Sequence, residues 1–166
     1  MQISRVLVSG VLAIFLGSFS FAAIAAGGSF RVAHDVYVEV EKVDDAGRKH
    51  VERVVAHKGI PGDAMLYVTT VENIGKKAAD SGAAITVPVP QNTEYQAGSA
   101  YGDNTEITFS IDGGKNFASP EKLSVKSSDG YEQIASSSSY TNIRWTFKKQ
   151  FAPGATGEVG FRAIIK

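Results

Sequence analysis

Apolar residues in this chain recur at every second position and almost nowhere at helical spacing, which restricts it to a fold made of sheets. In NIRWTF, Ile143, Trp145 and Phe147 fall on one side, and Asn142, Arg144 and Thr146 on the other. Successive side chains of a strand point to opposite faces, so this pattern makes a half-buried strand with its apolar side on a core. RVAHDVYVEVEKV alternates in the same way, with Val36, Val38 and Val40 set against Tyr37, Glu39 and Glu41. TGEVGFRAIIK repeats it with Val159, Phe161, Ala163 and Ile165. AMLYVTTVEN is rich in β-branched and aromatic residues and ends at the turn signal NIG.

The punctuation between these runs suits hairpins. DDAG, Asp44 to Gly47, reads as a turn with RKHVERVVA as the returning strand, and IPGD interrupts the chain at Pro61. AAITVPVP alternates Ile85, Val87 and Val89 against Thr86, Pro88 and Pro90. Two prolines so close together exclude a central strand and place this segment at an edge or at the end of one. TEYQAGSAY and TEITFSI are further short strands, and EKLSV is a weak one. The stretch from Ser127 to Tyr140, with its serine run Ser136–Ser139, is the longest connection and is expected to be the most mobile. Turns at roughly 8–12-residue spacing and about eight or nine strands predict an all-β, antiparallel β-sandwich. Residues 26–166 are of one-domain length.

The N-terminus is of another kind. MQISR carries one positive charge, Arg5, and an uncharged apolar run follows, ending in small residues. Ala23 and Ala25 form an A-x-A cleavage signal, so residues 1–25 are expected to be a signal peptide and the mature chain to begin at Ala26. An uncleaved anchor is the rival, because Val6 to Ala26 is just long enough to span a bilayer. The serines, glycines and alanine-rich end favour cleavage. The expected product is exported: periplasmic, on the cell surface or extracellular, with no membrane insertion after cleavage.

Seventeen basic residues balance 17 acidic ones. The basic excess of a nucleic-acid binder is missing. With no cysteine, the chain has no disulfide and no thiolate chemistry.

The most site-like stretch is TFSIDGGKNFASP, Thr108 to Pro120. A phosphate loop would need G-x-x-x-x-G-K-[ST] leading into a helix, and the spacing here is wrong. A calcium loop would need alternating ligands and a distal glutamate, whereas Asp112 stands alone. A type I′ hairpin turn built on Asp-Gly fits best.

His34, His50 and His57 offer no converging metal set: two lie an odd number of residues apart on one expected strand, and His34 lies on another. Asp44–Asp45 is a turn pair, and Asp103 and Asp129 neighbour loop glycines. G-x-S-x-G is absent. No enzyme, catalytic residue, metal site or cofactor is expected. Tyr95, Tyr101, Tyr131 and Tyr140, at strand ends or in loops, are the candidate partner-binding residues, since rigid rings offer contact area at low entropy cost. Their other reading is as covers for an open end of the sandwich.

From Pro61 onward the chain resembles a known family. The matching segments are PGDAMLYVTTVENIGKKAAD, ITVPVPQNTEYQAGSA, ITFSIDGGKNF, YTNIRWTF and FAPGATGEVGFRAII. In that order and spacing they are similar to the conserved-repeat domain of bacterial and archaeal surface proteins, number eleven in the domain-of-unknown-function series. The resemblance implies an immunoglobulin-like sandwich serving as a stalk, adhesin or envelope module, and it carries over no catalytic residue. Tandem copies are usual there. This chain carries one copy behind its own signal peptide, and one domain spans too little for a stalk.

The expected function is therefore a non-enzymatic structural or interaction subunit of the envelope, working through strand edges and end loops on protein partners or on itself. The alternative is a soluble periplasmic accessory module that recognises a protein or glycan through the tyrosine-bearing loops. The segment from Gly27 to Glu41 could pair in its own sheet or add to the open edge of a neighbouring molecule.

Overall fold

Each long alternating segment becomes a long strand. A computed structural model describes residues 29–166, so the expected signal peptide, residues 1–25, and its expected cleavage site lie outside the described residues. The strands are β1 (Phe30–Val43), β2 (Lys49–Val55), β3 (Ala64–Asn73), β4 (Ala84–Pro88), β5 (Thr93–Tyr95) and β6 (Tyr101–Gly102). They continue with β7 (Thr105–Ser110), β8 (Ser124–Lys126), β9 (Glu132–Ile134), β10 (Asn142–Phe147) and β11 (Thr156–Ile165). The helical content among the described residues is two single 3-10 turns, Pro120–Lys122 and Ser137–Ser139.

The larger sheet runs β2-β1-β3-β11-β5, with β6 also paired to β11; the smaller runs β4-β10-β7. All pairings are antiparallel, and the arrangement is sandwich-like. Directly opposite residues share a face, so the register identifies the core side. On β11 it is Val159, Phe161 and Ala163, opposite Thr69, Tyr67 and Met65 of β3. On β10 it is Ile143, Trp145 and Phe147, all buried as their alternation predicts. The sheets meet where Trp145 lies against Phe161, ring centres 6.3 Å apart, and Tyr67 stacks on Phe161 at 5.3 Å. As the prolines require, β4 lies at an edge.

Two segments depart from the sequence expectation. TEYQAGSAY is two strands rather than one, because the chain turns at Gly98 (φ 73) and Ser99 N–H bonds back to Gln96 O at 3.1 Å. The Ser127–Tyr140 connection is structured: β8 and β9 form a small hairpin closed by Ser127 N–H to Tyr131 O at 2.8 Å. Buried Tyr140 ends the segment that follows it.

β1 lies inside its sheet, with residues 30–37 paired to β3 and residues 37–43 to β2. The strand therefore pairs at home, and the free edge of that side belongs to β2. The β1–β2 hairpin does not continue flat. Arg53 of β2 and Glu158 of β11 are separated by β1 and β3 in the strand order, yet their side chains meet at 2.9 Å. Glu39, opposite Arg53, makes a paired contact with Arg162 at 2.6 and 2.8 Å. The hairpin therefore curls over the outer face of the sheet. Leu66 and Val68, outward by register, are buried there, since arginine stems cover apolar surface while their heads stay polar.

Candidate interaction sites

The Thr108–Pro120 stretch is not a two-residue turn. Phe109 and Ala118 exchange two backbone hydrogen bonds, and the intervening residues form a longer loop. The Asp112 carboxylate organises it, accepting from the Lys115 and Asn116 backbone N–H groups, the Ser110 hydroxyl and the Asn116 amide. These bonds, led by the Asn116 N–H, hold the carboxyl well below the usual carboxylate range. Gly113 and Gly114 supply the positive φ, 77 and 86°. The type I′ expectation fails because Asp112 keeps negative φ and acts through its side chain, which a rule based on dihedral preference does not register. With that carboxylate so fully bonded, the loop reads as architecture.

Of the histidines, His34 faces Thr69 across the β1–β3 pairing, its Nδ1 2.9 Å from the hydroxyl, and burial lowers its pKa against the opposing pull of Asp35. His50 pairs opposite Lys42 on β2, and His57 lies beyond the end of that strand, not on it. Among the described residues no group of three histidine or carboxylate side chains is placed to hold a metal ion. No helix among them is long and apolar enough to cross a membrane.

The four candidate tyrosines do not form one surface. Tyr95 and Tyr140 are buried and stacked, ring centres 5.7 Å apart, and Phe109 packs on both. They plug an end of the sandwich beneath a small apolar depression lined by Ala97, Ala100, Ile107 and Pro120. Tyr101 is half-buried on the outer face, and Tyr131, on the β8–β9 hairpin, is 78% exposed.

Two features stand out instead. The first is β2, in which every residue is exposed. Val51 and Val55 are 64% and 52% exposed, and Val54 is exposed on the opposite face. The hydrogen bonds Asp44 N–H to Arg48 O and Ala56 N–H to Val36 O set the phase of the hairpin ladder. Even-numbered residues of β2 point their N–H groups at β1, so Lys49, Val51, Arg53 and Val55 point theirs away from the sheet. Among the described residues none pairs with that side.

The second is an open cleft of about 480 Å³ beside the start of β11. Beyond β6, residues 156–158 of β11 have no neighbouring strand on that side among the described residues. Phe147 and Phe151 form the apolar wall, and Asp103, Asn104, Lys149, Gln150 and Glu158 contribute polar groups. Glu158 is held from behind: its Oε1 accepts from Tyr101 Oη at 2.7 Å and from Arg53 Nη1 at 2.9 Å. Tyr101 is fixed in turn, because its ring packs where a Cβ on Gly160 would stand, 2.7 Å away, and Arg53 lies 5.7 Å over the ring centre. Burial and the bond to Glu158 push the Tyr101 hydroxyl up to about 12. Burial also works to raise Glu158, but the bonds from Tyr101 and Arg53 prevail and keep its carboxyl below the ordinary range. A glycine inside a strand marks a close approach, so Gly160 was the sequence signal for this arrangement.

No protein-family model matches the chain, and no curated protein matches it in sequence.

Proposed function

We propose that this chain is a non-enzymatic, exported interaction subunit of the cell envelope or extracellular surface, built on an immunoglobulin-like sandwich, that binds its partner by strand addition along β2. The observation carrying this reading is the open side of β2, with four outward N–H groups between exposed valines on both faces. An unpaired edge with apolar side chains is a template for another strand: the backbone bonds give affinity and the side chains select the occupant. Folded proteins ordinarily blunt such an edge with charged side chains, proline, a bulge or a covering loop, and of these β2 carries the charges of Lys49, Glu52 and Arg53. β4 ends at Pro88, with Pro90 just beyond it, whereas β2 has no proline. The resemblance to conserved-repeat surface domains supports the same setting, and so does the A-x-A signal before Ala26.

The test is site-specific photocrosslinking in the producing cells. A crosslinking amino acid at Val55 should give a discrete adduct, with a second copy or another exported protein, and one at exposed Lys148 should not. Equal or absent labelling at the two positions would overturn the proposal.

A further inference from the structure

We propose that the cleft beside the start of β11 is a binding site for a neutral saccharide, with Glu158 and Asp103 as its anchoring acceptors. It stands apart from the strand-edge reading and survives or fails without it.

The lining is that of a polyol site. Small-ligand sites combine an apolar wall with a few fixed polar groups, and about 480 Å³ is within their usual range. Phe151, half-buried, is packed edge-on against Phe147 with ring centres 4.8 Å apart, which gives a rigid wall for the C–H face of a sugar ring. Asn104 and Gln150 bring amides that both donate and accept, as a run of hydroxyls requires.

The carboxylate of Glu158 is the best-prepared group. Tyr101 and Arg53 both bond to Oε1, which leaves Oε2 as an oriented acceptor with its side chain already ordered. A ligand hydroxyl meeting a carboxylate in this state has little reorganisation to drive, and bonds to charged acceptors are the stronger kind. Charge decides against ionic ligands. Asp103 and Glu158 are offset by Lys149 and by the Arg53 bound to Glu158, so the site carries no net charge to attract an anion or a cation.

The experiment is an amide-detected NMR titration of the mature chain with maltose, cellobiose and N,N′-diacetylchitobiose, each taken to tens of millimolar. At least one should shift the amides of residues 101–104, 148–151 and 156–158 as a group. Asp103→Ala, in an exposed turn, and Glu158→Gln, which keeps the size and loses the charge, should each weaken that binding about tenfold while the remaining spectrum holds. If Glu158→Gln loosens the hairpin through Arg53, Asp103→Ala still decides the matter. The proposal is overturned if no disaccharide moves these amides, or if Asp103→Ala binds as the unaltered chain does.

Discussion

Trp145 is 0% exposed, and its indole Nε1 has no hydrogen-bond partner among the described residues. Two substitutions there separate packing from polarity. Trp145→Ala removes the ring between the sheets and should cost ~3–5 kcal/mol, a large share of the ~5–15 kcal/mol holding a domain of this kind. Trp145→Phe removes about two methylene equivalents of burial, ~1.6 kcal/mol, but also removes a buried donor whose desolvation costs ~1–3 kcal/mol. The two terms nearly cancel, so the phenylalanine variant should lie within about 1 kcal/mol of the unaltered protein. The chain has a single tryptophan, so unfolding is best followed by far-ultraviolet circular dichroism in urea. A phenylalanine variant as unstable as the alanine one would refute the reasoning, because the indole N–H would then have to be contributing a bond.

Asn73, also 0% exposed, donates to the Lys77 and Phe151 carbonyls and accepts from Gly75 N–H. Asn73→Ala strands these groups and should cost ~2–4 kcal/mol in urea denaturation, whereas a loss near zero would show that the turn holds without it. The Arg162 bond holds the Glu39 carboxyl below its ordinary value of 4.5, so its contribution is complete above that value and is lost as pH falls through the folded-state pKa. Urea midpoints should therefore drop between about pH 5 and pH 3, and less so in Glu39→Gln; identical acid profiles would remove the pair from the account. Intact mass of the exported protein should correspond to a chain beginning at Ala26, and recovery of the full-length chain in the membrane would favour the anchor.

Strands and core were legible because they depend on local alternation. Trp145, Phe161 and the proline-marked edge of β4 could each be placed from a few neighbouring residues. The sites were not legible, because long-range juxtaposition creates them. Arg53 and Glu158 are 105 positions apart, and nothing near either residue announces that the hairpin curls until they meet. Tyr95 and Tyr140 had the composition of a binding surface, but strand order stacks them inside. In RKHVERVV, valines at 51, 54 and 55 occupy both faces, so no single face was marked for a core. That loss of alternation was the signal for an exposed edge.

The open side of β2 is tested most directly by a pair of prolines. Val51→Pro removes an N–H that points away from the sheet, while Glu52→Pro removes one that bonds to β1. Val51→Pro should leave the thermal midpoint almost unchanged and abolish the adduct formed by a crosslinker at Val55, whereas Glu52→Pro should destabilise the hairpin itself. A Val51→Pro protein that folds normally and still gives the full adduct would contradict strand addition at β2.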